Sequence, residues 1–484
     1  MKVSSDNTWT INTDDIYLTK INPNGTGSLS LNRKSDSIIG TNSVALGIDS
    51  IASGNYSIAE GKETIASGIA SHAEGESTVA SGNYSHAEGL ETIASGIFSH
   101  TEGASTLAER YSHAEGHTTK AIGIESHAEG YYTIAAGYES HAEGDYTLAL
   151  GMCSHAEGIG SPNHLYLSGS ANSTTYTIEE GSDSHEYEIG NYVVYDMAYA
   201  KILDFNPTAK TITLDATLNP KEDFYDIQVD VYVCGALENG SHTEGIGTTA
   251  AKEGSHAEGS HTTASGYYSH AEGDSNTASG NAAHVEGAGN VASGDCSHAE
   301  GRKTKASGQH SHTEGNSTTV TNDDTITATT TNSIEAGCYG HAEGYGTVSY
   351  GTASHAEGNG TIALGTNSHA EGYKTNASGS YSHAEGNSTI ASGINSHAEG
   401  YQTNASDHYA HAEGYETNAS SYATHAEGYK TNASDYYAHA EGYQTNASDF
   451  AAHAEGVGTI ASGSAAHAEG YATVANGIRS HAEG

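Results

Sequence analysis

The chain has 484 residues, of which 60 are Gly, only 4 are Pro, 4 Phe and 1 Trp, and 35% are hydrophobic. Large side chains for a thick core are missing, while scarce proline and strict periodicity exclude a disordered chain. The net charge of −43 excludes nucleic acid and anionic membranes as partners.

Residues 1–40 lie outside any repeat and are expected to form an N-terminal β attachment segment. Thr8–Asn12, Asp15–Thr19 and Ser28–Leu31 alternate as short strands do, with a turn at Asn22-Pro23-Asn24-Gly25. No apolar stretch reaches the length of a membrane span, and Met1–Asp6 opens no apolar leader.

From Asn42 onward glycine falls every seven residues, and two half-repeats alternate. One reads Thr64-Ile65-Ala66-Ser67-Gly68, the other Ser71-His72-Ala73-Glu74-Gly75. In a strand the first and third positions share one face. Both halves place Ser or Thr and then Ala there, so these small residues point inward and the variable positions outward. The result is an all-β parallel β-roll solenoid of 14-residue coils, stacked at ~4.8 Å with two strands each. A helix is excluded, because glycine at every seventh place would cost about 1 kcal/mol each time.

Repeats occupy 41–158, 241–315 and 338–484. Between them, residues 159–240 carry alternating runs such as Tyr192–Tyr195, Thr211–Leu214 and Ile227–Val233, which predict an inserted small antiparallel β domain. The Thr-rich segment 316–337, with Thr325–Thr329 at its centre, predicts a protruding hairpin. One coil is a residue short, between His100 and His113, and predicts a kink or a tightened turn. The four cysteines, Cys153, Cys234, Cys296 and Cys338, lie too far apart for a zinc motif or a disulfide framework and are expected to be buried or bystander thiols.

The string Asn42-Ser43-Val44-Ala45-Leu46-Gly47, followed by Ser50–Gly54 and Ser57–Gly61, resembles the head repeats of trimeric autotransporter adhesins. The His-Ala-Glu-Gly variant is similar to repeats in tail fibres and neck appendages of phages infecting Gram-positive hosts. These resemblances imply a left-handed roll, a homotrimeric fibre and a location on a virion or extracellular particle. They also imply a partner baseplate or neck bound through the N-terminus, and a host cell-surface glycan or protein as the recognised target. The alternative they leave is a bacterial surface adhesin.

His-x-Glu-Gly occurs 24 times. The matching place in the other half-repeat varies freely, through Ile65, Lys120, Leu148, Lys305, Asn376, Asn404, Ile460 and Val474, and so reads as solvated. A place that stays His is constrained from outside its own coil. The expected trimer-interface ladder comprises His72, Glu74, His86, Glu88, His127, Glu129, His355, Glu357, His397, Glu399, His439, Glu441, His481 and Glu483. Val44 and Leu46 occupy the same positions in the first coil. Imidazoles interleaved with carboxylates remove the repulsion, about 1 kcal/mol per neighbour in water, of a bare carboxylate column.

A unit repeated at every coil has no singular active site, so no enzyme, cofactor or metal is expected. A metal ladder and a pH switch are the functional alternatives for the histidines. A depolymerase would need an acidic pair in the insert, where Asp183, Glu186, Glu188, Asp196 and Asp204 are available without a motif. Tyr373, Tyr401, Tyr415, Tyr429 and Tyr443 form a column after the repeat glycine, with Tyr381, Tyr409 and Tyr437 at the opposite corner; packing between turns is favoured there over sugar binding. Asn404, Asn418, Asn432 and Asn446 match a glycosylation sequon but read better as an amide ladder. Recognition is expected where the repeat is interrupted, first in 159–240 and then in 316–332.

Overall fold

A computed structural model describes residues 2–3, 9–10, 28–34, 37–160, 162–169, 174–178, 192–195, 198–206, 211–215, 224–232, 235–316, 334–336 and 338–484. They contain strands, turns and no helix, and so none long and apolar enough to cross a membrane. The chain divides into two compact units, residues 1–264 and 265–484. The same coil builds both.

One coil shows the logic. Strand His72–Glu76 is followed by the short strand Val79–Ala80, and the next coil repeats the pair as His86–Leu90 and Ile93–Ala94. Pairing is parallel and like sits on like: His72 on His86, Ala73 on Ala87, Glu74 on Glu88 and Gly75 on Gly89. Val79 likewise sits beside Ile93 and Ala80 beside Ala94. Two parallel sheets result, one per half-repeat, around a thin interior of Ala, Ser and Thr columns in which Ala73, Ala80 and Thr78 are fully buried. This is the parallel solenoid that the small inward residues predict.

The two inward hydroxyl types do different work. Ser71 donates its hydroxyl to the carbonyl of Gly68 at 2.8 Å, and Ser85 repeats the bond to Gly82 at 2.7 Å. Serine therefore closes the corner before the His strand. Thr64, Thr78 and Thr92 are buried without a hydrogen-bond partner for the hydroxyl. Their methyl groups fill the core, which is why β-branched Thr alternates with Ser.

Glycine is demanded by the stacking distance. A Cβ on Gly75 (φ +117°) or on Gly68 would collide with the carbonyl oxygen of the glycine in the next coil. The left-handed corner residue comes two places later and is usually not glycine: Ala70 has φ 54° and Ser77 φ 57°. That conformation costs roughly 1–2 kcal/mol in an ordinary residue. Each such residue donates its amide to the preceding coil, Ala70 to Asn55 O and Ser77 to Lys62 O, both at 2.8 Å. Stacking holds the corner in place.

The roll begins earlier than the repeat. Leu29–Arg33, assigned above to the attachment segment, pairs in parallel with Val44–Ala52, with Leu29 beside Val44 and Leu31 beside Leu46. Ser30 is buried as the inward residue, a role that needs one small side chain and not a full motif. Lys2–Val3 pairs antiparallel with Trp9–Thr10. The short coil keeps its register, with His100 beside His113 and Leu107 beside Lys120. The missing residue comes out of the corner, where Glu109-Arg110-Tyr111 does the work of Ser95-Gly96-Ile97-Phe98 and Ser112 bonds both Glu109 O and Ala121 O.

Between Gly160 and Gly235 the strands Pro162–Gly169, Thr175–Ile178, Thr211–Leu214, Ala198–Asn206, Tyr192–Tyr195 and Phe224–Tyr232 pair antiparallel in that order and close into a barrel. Tyr176, Val193, Ile202, Ile212 and Leu214 are buried in it. The stack resumes at Gly235–Ala236, ahead of Ser241, because Ala236 pairs with Ala149 and Ala250. In the 316–337 segment, Asn316 belongs to strand His312–Asn316 and Ile334–Ala336 pairs with Thr304–Ala306. The hairpin centred on Thr325–Thr329 lies outside the described residues.

Candidate functional site: the His–Glu face

The period-two strand puts His and Glu on the outer face while the Ala between them is buried, so each residue type forms a column. In the first unit the imidazole rings from His72 to His256 follow one another with centroids 4.6–4.9 Å apart. In the second, from His270 to His467, the spacing is 4.6–5.0 Å and the rings are stacked, with modest tilts at His312–His341 and His369–His383. His481 turns edge-on to His467. Val44 and Ile58 stand in the His column, and Leu46 and Glu60 in the Glu column.

Every residue assigned to the ladder by sequence is therefore brought into it, but hydrogen bonding within the chain is sparse. His Nε2 lies 3.4–4.0 Å from Glu Oε2 of its own coil, from His383–Glu385 at the short end to His72–Glu74 at the long end. His383–Glu385 and His425–Glu427 hydrogen-bond at 3.4 Å, while His397–Glu399 and His467–Glu469 come as close without bonding. For His72, His86, His127, His355, His397, His439 and His453, Nε2 is shut off from water with no hydrogen-bond partner. The rings remain about a third exposed and the carboxylates about half.

Electrostatics favour neutral imidazole. Burial first, and then the neighbouring histidines, hold His86, His113, His141, His298, His341, His411 and His453 below the usual histidine range. The adjacent glutamates oppose this without overcoming it.

A departure that sequence reasoning missed lies at residues 270–316. There the strands His270–Ala271, His284–Val285 and His298–Ala299 stop before Glu. Buried Asn276 and Asn290 take the inward place of Thr and bond the carbonyls of Glu272 and Glu286 at 2.5 Å and of Gly287 and Gly301 at 2.9 and 2.8 Å. Glu272, Glu286, Glu300 and Glu314 line an open groove of about 420 Å³. The hydrogen bond to Glu286, followed by burial, pushes Glu300 up to about 7. The available signal was Asn where other coils have Thr.

The opposite sheet corrects the reading that its variable place is solvated. Ile65, Lys120, Lys305, Asn376 and Asn404 are half-buried, and Ile460 and Val474 exposed. Leu107, Ile134 and Leu148 are buried, however, and Ile134 and Leu148 pack with Ile122, Tyr146, Leu150 and Leu237. Near the insert this face has an apolar cover, so free variation in residue type did not mean exposure.

The corner rows are packed. Tyr401, Tyr415, Tyr429 and Tyr443 stack at 4.8–5.0 Å, which occupies the ring faces a sugar would need. Asn404, Asn418, Asn432 and Asn446 donate amide to amide at 2.8–3.0 Å. Cys153, Cys296 and Cys338 are exposed free thiols, not buried ones. Of the five acidic residues considered for a depolymerase, Asp204 is exposed on Ala198–Asn206, and the other four lie outside the described residues.

A parallel solenoid with an outward His–Glu ladder is an adhesin-like repeat architecture. Residues 39–63, 59–85, 114–140, 128–152 and 342–368 match the YadA head domain repeat (2 copies), so the chain carries YadA head repeats over these stretches. Comparison with characterised proteins gives no match.

Proposed function

We propose that the protein is a homotrimeric, non-enzymatic fibre, adhesin-like and extracellular, whose roll spaces and presents the elements that contact a host surface. The observation that carries this reading is the ladder: coil after coil, an imidazole nitrogen is withdrawn from water without a partner in its own chain. Buried polar atoms are normally satisfied, and a second and third copy of the ladder supply donors and acceptors at the same ~4.8 Å period. The YadA head repeats support the trimer and the left-handed coil, and Val44 and Leu46, half-buried in the same columns, fit an interface. The antiparallel barrel between Gly160 and Gly235 is the proposed recognition domain, for a cell-surface glycan or protein.

The carrier we propose is a phage or phage-like particle, bound through the N-terminus, on the similarity of the His-Ala-Glu-Gly form to such fibres. A bacterial surface adhesin is the second reading, favoured by the YadA head match. Light scattering on the purified chain tests the trimer: the expected mass is threefold the 49.8 kDa chain, and a monomer overturns the reading. Gold-labelled antibody on virions and on cells then separates the two carriers.

A further inference from the structure

The outer face at residues 270–314 keeps the donor trios and orphaned imidazole nitrogens of the regular ladder and adds a carboxylate groove and a less exposed Glu300. Two trios, His270–Glu272–His284 and His298–Glu300–His312, each bring two imidazole nitrogens and a carboxylate oxygen within 4.8 Å of one another, as His453–Glu455–His467 does in a regular coil, but of the three only these two lie beside the groove. In both, His Nε2 and Glu Oε2 of the same coil are 3.8 Å apart. Nε2 of His284, His298 and His312 is shut off from water and has no hydrogen-bond partner. The Glu300 side chain is 25% exposed, against 47% for Glu357 in the regular ladder. The groove along the four carboxylates has room for an ion and its waters.

We propose that this face holds two divalent transition-metal sites, one on His270, Glu272 and His284 and one on His298, Glu300 and His312. Two imidazole nitrogens and one carboxylate oxygen are a zinc-type donor set, with a fourth position left for water. Calcium and magnesium prefer oxygen alone. Tetrahedral zinc with ligands at roughly 2.0–2.2 Å needs them about 3.4 Å from each other. Metal binding therefore requires the partly exposed Glu and His side chains to rotate toward one another from their stacked positions. Glu286 and Glu314 add negative charge beside the sites. The interruption of the strands before Glu, with Asn276 and Asn290 bonded to the glutamate carbonyls, sets these coils apart from the regular ones. Each donor set is complete within one chain and goes beyond the proposed trimer, so loss of the trimer reading leaves it standing.

Calorimetric titration of the full-length protein with zinc chloride tests the proposal, with calcium chloride as comparator. The expected result is two zinc ions per chain and no calcium heat at these sites. The double variant Glu272→Gln/Glu300→Gln should weaken zinc by at least about tenfold, and Glu102→Gln, in a coil elsewhere, should leave it unchanged. Circular dichroism establishes that the variants fold. Cobalt(II) absorption of the unmodified protein, expected to show a low-symmetry four-coordinate spectrum, gives a readout that needs no variant. Zinc uptake unaltered in the double variant, uptake spread evenly along the whole ladder, or no uptake overturns the proposal.

Discussion

His155 and His242 are separated in sequence by the entire antiparallel insert, yet their rings stack with centroids 4.9 Å apart. Their strands also keep register, with Glu157 beside Glu244 and Gly158 beside Gly245. The ladder is thus a property of the stack and not of chain continuity. Excising residues 162–234 and joining Ser161 to Gly235 restores the 14-residue spacing of His155 and His242, and is expected to leave a folded roll with its β circular dichroism and cooperative melt and to abolish host-surface binding. Loss of the fold on excision would show that the barrel is needed to assemble the stack.

Acidification should destabilise the roll. The ladder histidines named above have folded pKa values below 6.5, the ordinary value, so the unfolded chain binds more protons. Stability then rises with pH through that window and is lost as pH falls below about 6.5. Thermal melts should give a lower Tm near pH 5 than near pH 8. A higher Tm near pH 5 would mean that the imidazoles are paired as cations in the assembled protein, and equal values that folding leaves their proton affinity unchanged.

The inward hydroxyls should respond oppositely to removal. Thr403 is buried with no partner for its hydroxyl, so Thr403→Val is expected to be neutral or stabilising. Ser396 donates to Gly393 O at 2.7 Å, and Ser396→Ala should cost about 1 kcal/mol. Denaturant melts of the two variants measure the difference.

Glycines in the two corner positions should also separate. Gly386 has φ +115°, and a Cβ there would collide with the carbonyl oxygen of Gly400; Gly386→Ala should cost about 3 kcal/mol or more. Gly346 has φ +62° with nothing within 4 Å, in the corner place where Ser77 and Ser388 are tolerated. Gly346→Ala should cost only about 1 kcal/mol. Equal losses would mean that backbone conformation, and not stacking distance, selects glycine.

The repeat was legible because its rule is local. Ala73, with Ser71 before it and Gly75 after it, states which face is inward and where the next coil must approach closely. What lay beyond local pattern was misplaced. Leu29–Arg33 carries no motif, yet it pairs as a rung because an exposed strand edge accepts any segment with a small residue at Ser30. Leu148 looked like one more member of a permissive place, yet it is buried in a cluster that includes Leu237, which arrives from the far side of the insert.

The sequence by itself determined the coil: a seven-residue glycine period with small residues at alternate places permits only thin parallel stacking. It also determined that His and Glu share a face, since strand period two leaves no choice. The tertiary structure decided what that face contains. Rings spaced by the backbone hydrogen-bond repeat leave His Nε2 and Glu Oε2 mostly beyond bonding distance, and two buried asparagines bind the glutamate carbonyls where the carboxylates crowd at 272–314. The ring spacing and the crowding of carboxylates arise between coils, from how one backbone seats on the next, and no single repeat encodes them.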